Sequence, residues 1–185
     1  DVDLYVDMGN CTGWASQRLE LAPPARLFAP YGLSTMGWSC GAVIGGKRAR
    51  PERRAIALLG DGAFLMNGAE ISSAAHHGIG AVYVVLNDDA LGMVNHGEHA
   101  QTGHPLSDPF YRLGGPDLVA FARALGADAR PAATPGALRS ALAEAMRAAE
   151  VDGRPQVVVA AIDPHEVPPY GERFRSVAGR ADVRA

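Results

Sequence analysis

Short apolar runs alternate with longer stretches of helical character along the chain, and this alternation restricts the possible folds more than any other feature. The runs are DLYVDMG at 3–9, RAIALLG at 54–60, AVYVVLN at 81–87 and PQVVVAAID at 155–163. Continuous apolar runs of this length are typical of strands buried on both faces. Predicted helices occupy 36–46, 64–77, 116–125 and 134–149. Strand and helix in alternation predict an α/β fold, a parallel sheet with helices on both faces.

The composition suits one compact domain and gives no reason to expect a charged macromolecular partner. Of the 185 residues, 48% are hydrophobic and 20% are charged, which allows a substantial buried core. The net charge of -3 favours neither nucleic acid nor an anionic membrane as partner. Cys11 and Cys40 form neither a CxxC pair nor a disulfide framework, and no apolar run reaches the roughly 18 residues of a membrane span. We therefore expect a cytoplasmic protein with reduced thiols.

The stretch ALLGDGAFLMNGAE at 57–70 looks at first like the phosphate-binding turn of a dinucleotide site. That fingerprint is G-x-G-x-x-G, but Leu65 stands where the third glycine belongs. Asp61 lies between Gly60 and Gly62, and a carboxylate there repels a bound diphosphate unless a cation lies between them. Mg²⁺ meets this requirement, because it commonly joins one or two carboxylates to phosphate oxygens. The motif therefore favours a metal-bridged diphosphate over a nicotinamide dinucleotide.

A second oxygen ligand is expected near the end of the next predicted strand, where VVLNDDALGMV supplies Asp88. The segment from Asp61 to Asp88 is long enough for one helix and one strand. Both carboxyl groups would then reach the same edge of the sheet, where ligands bind in open α/β folds.

These motifs, taken in order, resemble the thiamin diphosphate signature, which begins Gly-Asp-Gly and ends in a pair of asparagines. The similarity extends to YGLSTMGWSCGAVIGG at 31–46, VVLNDDALGMVNHG at 84–97, DLVAFARALGA at 117–127 and EVPPYGERF at 166–174. In this order they are similar to the C-terminal diphosphate-binding domain of enzymes like acetolactate synthase. The resemblance covers nearly the whole chain and implies the cofactors thiamin diphosphate and Mg²⁺.

The resemblance makes Asp61 and Asp88 side-chain ligands of Mg²⁺, with the backbone carbonyl of Ala90 as a third ligand. The diphosphate and one water would complete the octahedron. Asp88 stands where the second asparagine of the family's pair is usual, which adds a negative charge beside an anionic diphosphate. Asn87 is the alternative ligand.

The resemblance also implies that backbone N–H groups hold the diphosphate. The residues concerned are Gly9, Asn10 and Cys11 after the first strand, Gly60, Gly62 and Ala63 around the next strand end, and Leu91 and Gly92 after Asp88. Helix N-termini and glycine turns offer unpaired N–H groups to anions. The alternative interpretations are ordinary turns at Gly9 and Gly92 and a helix N-cap at Asn10.

At the other end of the cofactor, the LSTMG stretch is similar to the family's pyrimidine-holding loop. The carbonyl of Ser34 would accept from the amino group of the pyrimidine, and the Met36 N–H would donate to the ring. The Met36 side chain would wedge under the cofactor and impose a bent conformation, which promotes deprotonation of its reactive carbon. Met93 would line the cofactor or substrate side. Core packing is the alternative for both methionines.

Histidines follow the predicted cofactor site, in a stretch from 95 to 115 that has no clear period. Proton transfer by His96 is one interpretation, because histidine titrates near neutral pH. A metal site at His96, His99 and His104 is another, although Mg²⁺ prefers oxygen ligands. A surface loop is the interpretation that we favour for these three residues.

The resemblance implies a composite enzyme. In the family, a glutamate that activates the pyrimidine belongs to a separate pyrimidine-binding domain, and no glutamate here stands in that motif. We therefore expect a partner domain, on another chain or in an N-terminal part, and a dimer or heterotetramer. The implied reaction is decarboxylation or carboligation of a small 2-oxo acid, by a lyase or a transferase. The alternatives are a non-catalytic or regulatory binding subunit and a nucleotide-binding oxidoreductase, which Leu65 disfavours.

The expected domain boundaries follow from the same comparison. Residues 1–163 would form the thiamin diphosphate and Mg²⁺ domain. Residues 164–185 would form a tail that closes over the site, with Tyr170 at a position that methionine often holds in the family.

Overall fold

The computed structural model describes residues 1–169, in which six strands and seven α-helices alternate. The strands are β1 Val2–Val6, β2 Arg26–Phe28, β3 Arg54–Gly60, β4 Val82–Asn87, β5 Asp128–Ala132 and β6 Gln156–Ala161. The α-helices are α1 Asn10–Arg18, α2 Trp38–Ala49, α3 Asp61–Asn67, α4 Ile71–His76, α5 Gly92–Thr102, α6 Leu118–Ala124 and α7 Pro135–Asp152. Short 3-10 helices span Gly68–Glu70 and Pro109–Tyr111.

All six strands form one parallel sheet in the order β2-β1-β3-β4-β6-β5. The chain leaves β1 to one side to make β2 and then returns to the other side to make β3, so the strand order reverses between β1 and β3. Val6 pairs with Leu58, and Gly60 pairs with Leu86. The carboxyl ends of β1, β3 and β4 therefore lie side by side at a topological switch point, where ligands bind in this class of fold.

The two faces of the sheet are covered by different helices. Tyr5, Leu59 and Tyr83 point to one face, in a core shared with α2, α3, α4 and α6. Val6 and Val84 point to the other face, in a core shared with α1 and α7. Successive side chains along a strand are thus buried on opposite faces of the sheet. Each fully buried large apolar side chain contributes about 1.5–3 kcal/mol to the stability of the fold. The predicted parallel sheet with helices on both faces is confirmed.

Several element boundaries differ from the prediction. The first and last predicted strands, 3–9 and 155–163, extend past the ends of β1 and β6. The helix predicted at 64–77 is divided into α3, a 3-10 turn and α4, and it begins earlier, at Asp61. Both β2 and β5 were missed, as were α1 and α5, so the stretch after 95 is helical as far as Thr102.

A buried carboxylate holds the amino end of the sheet together. Asp3 on β1 is 1% exposed, and it accepts from Arg26 Nε at 3.1 Å, Arg50 Nε at 2.8 Å and Arg53 Nε at 2.7 Å. Burial raises the pKa of Asp3, but the hydrogen bonds and charges of the arginines outweigh this and lower its pKa overall. This cluster lies at the end of β1 opposite the switch point. Within residues 1–169, no helix is long and apolar enough to cross a membrane.

Candidate functional site

A cleft opens at the carboxyl ends of β1, β3 and β4, and it gathers residues from four strand-to-helix connections, the fourth being the segment between β2 and α2 that carries Met36. The predicted site residues that line it are Gly9, Asn10, Cys11, Met36, Gly60, Asp61, Gly62, Ala63, Asp88, Ala90, Leu91, Gly92 and Met93. Neither Ser34 nor His96 is among the lining residues. Sequence reasoning missed Met8, Trp14, Leu86, Val94 and Ile162, which also line the cleft. The sequence could have indicated Trp14, because it lies one helical turn after Asn10 and therefore on the same face of a helix.

Two carboxylates lie together in this cleft. Oδ1 of Asp61 accepts from the N–H of Gly62 at 2.7 Å, while its Oδ2 is buried without a hydrogen-bond partner among the described residues. Burial and the negative charge of Asp88 raise the pKa of Asp61 to about 7, and burial also raises the pKa of Asp88. Buried like charges are unfavourable unless a cation compensates them.

This donor set fits Mg²⁺. The ion takes hard oxygen ligands and is usually held by one or two carboxylates together with phosphate oxygens and water. The two aspartates and the carbonyl-bearing turn at Ala90, all of which line the cleft, supply oxygen only. Within residues 1–169, no group of three or more His, Cys, Asp or Glu side chains is placed to hold a metal ion, so a Mg²⁺ site here would rely on two carboxylates, a backbone carbonyl and the diphosphate.

Hydrogen bonds from the following segment orient the turn after β4. The Asp89 carboxylate accepts from Arg112 Nη2 at 2.8 Å and from the Gly115 N–H at 2.7 Å, so it is engaged outside the cleft. The Leu91 N–H donates to the Tyr111 carbonyl at 2.9 Å. Asp88, which directly precedes this anchored turn, lines the cleft.

Asn87, the alternative metal ligand, is engaged elsewhere. Its side-chain oxygen accepts from the Asp89 N–H at 3.4 Å, and its carbonyl accepts from the Ile162 N–H at 3.1 Å. Asn87 does not line the cleft, whereas Asp88 does. This geometry favours Asp88 over Asn87 as the Mg²⁺ ligand, and the role of Asp88 as ligand stays a prediction.

Two glycines keep the floor of the cleft open. A Cβ added at Gly92 would lie 2.5 Å from Asp88 Oδ2 and 3.0 Å from Asn10 Nδ2. A Cβ added at Gly62 would lie 3.0 Å from Leu91 Cδ2 and 3.8 Å from Met36 Cε. Any larger residue would therefore displace the groups that surround the predicted diphosphate.

Three of the predicted diphosphate donors already have partners within the protein. The Gly9 N–H donates to Thr12 Oγ1 at 3.2 Å, the Gly62 N–H donates to Asp61 Oδ1 at 2.7 Å, and the Leu91 N–H donates to the Tyr111 carbonyl. Gly9 therefore caps helix α1, and Asn10, the suggested N-cap, is instead the first residue of that helix. The structure thus favours a structural role for the Gly9 N–H over the predicted contact with the diphosphate.

His96 is buried, so the prediction that it lies in a surface loop is wrong. It is on α5 with 2% exposure, and its Nε2 lies 2.8 Å from the Pro164 carbonyl. A carbonyl can only accept, so Nε2 carries the proton, and in neutral histidine Nδ1 then accepts from Asn10 Nδ2 at 3.0 Å. Both ring nitrogens are therefore occupied, and the geometry favours orientation of Asn10 over proton transfer.

Cys11 lines the cleft as a neutral thiol. Its Sγ donates to the Asp7 carbonyl at 3.2 Å. Burial, together with the nearby Asp7 charge, raises the pKa of Cys11 to about 12. Because the thiolate is the nucleophilic form, Cys11 is unsuited to covalent chemistry.

Ser34 lies in an exposed loop and has a left-handed backbone, with φ of 55°. Its N–H donates to the Pro30 carbonyl at 2.7 Å, which closes a tight turn before Met36. This conformation favours glycine, and the role of the Ser34 backbone in holding the pyrimidine stays a prediction. The structure describes residues as far as 169, so Tyr170 and most of the predicted closing tail lie outside them.

Comparisons with known proteins agree on one family. The model of the thiamine pyrophosphate enzyme, C-terminal TPP binding domain, matches residues 7–160. The "Putative acetolactate synthase large subunit" of Mycobacterium tuberculosis is 39% identical over 161 residues, which are 87% of this chain and 28% of that protein. The "Probable acetolactate synthase large subunit" of Methanocaldococcus jannaschii is 32% identical over 173 residues, which are 91% of this chain and 28% of that protein.

The fold also occurs in a solved structure. The thiamine diphosphate-dependent 4-hydroxybenzoylformate decarboxylase of Rhodococcus jostii RHA1 matches with a TM-score of 0.77, over 88% of this chain and 30% of that chain, at 21% identity. The chain spans about 28% of the length of the two curated relatives. The family match over residues 7–160 means that this chain belongs to the thiamine pyrophosphate enzymes, as their C-terminal TPP-binding domain.

Proposed function

We propose that this chain forms the diphosphate-binding half of a 2-oxo acid decarboxylase or carboligase of the acetolactate synthase type. The observation that carries the proposal is the pairing of the buried Asp61 with the half-buried Asp88 at the switch-point cleft, with Asp61 Oδ2 unpartnered among the described residues. Two adjacent, partly desolvated carboxylates reduce stability unless a cation offsets their charge.

In this proposal, Asp61, Asp88 and the Ala90 carbonyl bind Mg²⁺, which joins the protein to the diphosphate. The backbone N–H groups of Asn10 and Cys11, at the start of α1, and those near Ala63, at the start of α3, face the anion. Helix N-termini favour negative charge. Gly92, at the start of α5, completes the cradle, while the Leu91 N–H donates to the Tyr111 carbonyl and holds the turn.

Met36 shapes the opposite end of the site. Its Cε lies 3.8 Å from the position that a Gly62 Cβ would take. The Met36 side chain would therefore contact a bound cofactor, and the loop at Ser34 would hold the pyrimidine. When bound, thiamin diphosphate supplies a carbon nucleophile that adds to the carbonyl of a 2-oxo acid and stabilises the product of CO₂ loss. Met93, Val94 and Ile162 give that region an apolar lining, which would exclude water once a partner domain covers it.

A partner domain is part of the proposal. The cleft has a volume of about 80 Å³, and it adjoins a cavity of about 410 Å³ that shares Asn10, Trp14, Leu86, Asp88 and Ile162. Within residues 1–169, Glu166 lines the adjoining cavity, and no glutamate lines the cleft itself. Large apolar side chains are exposed beside it, with Leu33 at 91% and Val94 at 57% exposure. A pyrimidine-binding domain that covers these residues and donates the activating glutamate would complete the site, in a dimer or heterotetramer.

The proposal also includes a cytoplasmic location. Cys11 and Cys40 are free, buried thiols, which a reducing compartment preserves. The substrate class, small 2-oxo acids, also suits that compartment.

Product analysis tests the reaction. The complete protein, with its pyrimidine-binding domain, is incubated with pyruvate, thiamin diphosphate and Mg²⁺, and the products are separated by chromatography. Acetaldehyde would indicate decarboxylation with protonation, and acetolactate would indicate carboligation. Asp61→Ala is the matched control and should abolish both products. Tight cofactor binding without turnover of pyruvate or other 2-oxo acids would instead support a regulatory subunit.

A further inference from the structure

One buried side chain connects the two halves of the cleft. Asp7 follows β1 and is 0% exposed. Its Oδ1 accepts from the N–H of Met8 at 2.9 Å and of Gly37 at 2.8 Å, and its Oδ2 accepts from the N–H of Ser39 at 2.7 Å. Gly37 and Ser39 lie at the start of α2, directly after Met36.

The backbone of Asp7 holds the other half of the cleft, at the start of α1. The Asp7 carbonyl accepts from Thr12 Oγ1 at 2.6 Å and from Cys11 Sγ at 3.2 Å, which fixes the first turn of α1. The Asp7 N–H donates to the Leu58 carbonyl at 2.8 Å, which ties it to β3. Asp7 therefore contacts the segment of the predicted diphosphate donors and the segment of the pyrimidine loop at once.

The energetics explain why a buried charge is tolerated here. An uncompensated carboxylate would be costly in the interior, but three backbone N–H groups donate to this one, and charge-assisted hydrogen bonds are the strong ones. Two of those donors are at the N-terminus of α2, where the helix dipole favours a negative charge. Gly37 has a left-handed backbone with φ of 84°, and the Asp7 bond to its N–H holds that turn.

We propose that Asp7 is a positioning residue that fixes Met36 relative to the diphosphate-binding segment at Asn10 and Cys11. The distance between these two anchors determines how strongly a bound thiamin diphosphate must bend. This inference rests on the proposed function, and it assigns to Asp7 the spacing between the two ends of the cofactor site.

The competing explanation is that Asp7 only stabilises the fold, and Asp3 provides the control for it. Asp3 and Asp7 flank the same strand segment, both are almost completely buried, and both accept three hydrogen bonds. Asp3 binds arginines at the far end of β1, whereas Asp7 binds backbone N–H groups at the cleft. Asp3→Asn and Asp7→Asn therefore remove equivalent charges at opposite ends of one strand.

The test compares two ligands in the complete protein with its pyrimidine-binding domain. Affinities for thiamin diphosphate and for inorganic pyrophosphate, each with Mg²⁺, are measured by calorimetry. Pyrophosphate uses only the anion anchors, whereas thiamin diphosphate also uses the Met36 loop. In Asp7→Asn, the affinity for thiamin diphosphate should fall about tenfold or more, while that for pyrophosphate should change less than about threefold. Asp3→Asn should lower the Tm and leave the ratio of the two affinities unchanged.

Amide hydrogen exchange without cofactor gives an independent readout. Asp7→Asn should speed exchange at Gly37 and Ser39, and Asp3→Asn should not. If Asp7→Asn does not fold, Asp7→Glu keeps the charge, moves it by one methylene, and should show the same ligand-selective loss.

The outcomes separate this inference from the proposed function. Equal losses for both ligands, or no loss of thiamin diphosphate affinity in Asp7→Asn, would overturn the positioning role while the proposed function stood. A wild-type protein that binds pyrophosphate and Mg²⁺ but shows no preference for thiamin diphosphate would overturn the proposed function and the positioning role together.

Discussion

Burial and the charge of Asp88 together raise the pKa of Asp61 to about 7 in the cofactor-free protein. The two carboxylates come from the ends of neighbouring strands, β3 and β4, so the parallel register of the sheet brings them together. The fold therefore maintains an unfavourable arrangement that a bound Mg²⁺ would stabilise.

The stability of the cofactor-free protein should fall as the pH rises from about 4 to about 7. The pKa of Asp61 is about 7 in the folded state and about 3.9 in the unfolded state. The folded state therefore binds more protons in this window, and its free energy of unfolding decreases with pH, by on the order of 2–4 kcal/mol for this group. Urea denaturation at pH 4, 5.5 and 8 in a chelator measures the change. Asp61→Asn is the control, and a slope identical to that of the wild type would refute the assignment.

Asp88→Asn should keep thiamin diphosphate affinity within about tenfold of the wild type. The amide oxygen has a similar reach to the carboxylate oxygen, and the substitution removes a negative charge that repels both Asp61 and the diphosphate. Titration of the cofactor at saturating Mg²⁺ measures the affinity. If the variant bound the cofactor without any need for Mg²⁺, Asp88 could not be a ligand in the arrangement proposed here.

Gly92→Ala should weaken cofactor binding about tenfold or more, because the new Cβ would meet the Asp88 carboxylate and the Asn10 amide. Gly45→Ala is the matched control. Gly45 lies within α2 with nothing within 4 Å of an added Cβ, so alanine there should stabilise the fold by about 0.5–1 kcal/mol. Calorimetric titration and thermal unfolding of both variants test the pair. Normal cofactor affinity in Gly92→Ala would show that the floor of the cleft adapts freely.

Ser34→Gly should stabilise the protein by up to about 1 kcal/mol, because it removes the cost of a left-handed serine. The gain is partly offset by the greater freedom of glycine in the unfolded state. Cofactor affinity should not change, since the prediction uses only the backbone of this residue. Ser72→Gly, in helix α4, should instead destabilise by roughly 0.5 kcal/mol. Equal destabilisation in both variants would contradict the strain at Ser34.

The sequence predicted the central strands and most of the residues that line the cleft, because both leave strong local signals. β3 and β4 are buried on both faces, so they read as continuous apolar runs. The edge strands β2 and β5 do not, because an edge strand is partly exposed and tolerates arginine and proline. Helix α5 was missed since its glycines, histidines and polar residues show no regular apolar face, and tertiary contacts of Asn95 and His96 stabilise it.

Long-range contacts account for the residues that could not be predicted. Asp7 follows β1 without any local pattern, and its importance depends on Gly37 and Ser39, which are distant in sequence. The burial of His96 likewise depends on Asn10 and Pro164. Motif spacing identifies residues at strand ends, whereas contacts such as these arise only when separate connections meet in three dimensions.

The most direct test of the central claim is calorimetric titration of thiamin diphosphate into the complete protein, with and without Mg²⁺, for the wild type and Asp61→Ala. We expect the wild type to bind the cofactor only with Mg²⁺. Asp61→Ala should bind it roughly a hundredfold or more weakly, since a lost metal ligand costs at least as much as a lost supporting contact. Equal affinity in the two proteins, or binding by the wild type that is indifferent to Mg²⁺, would contradict the claim that Asp61 and Asp88 form the metal bridge to the diphosphate.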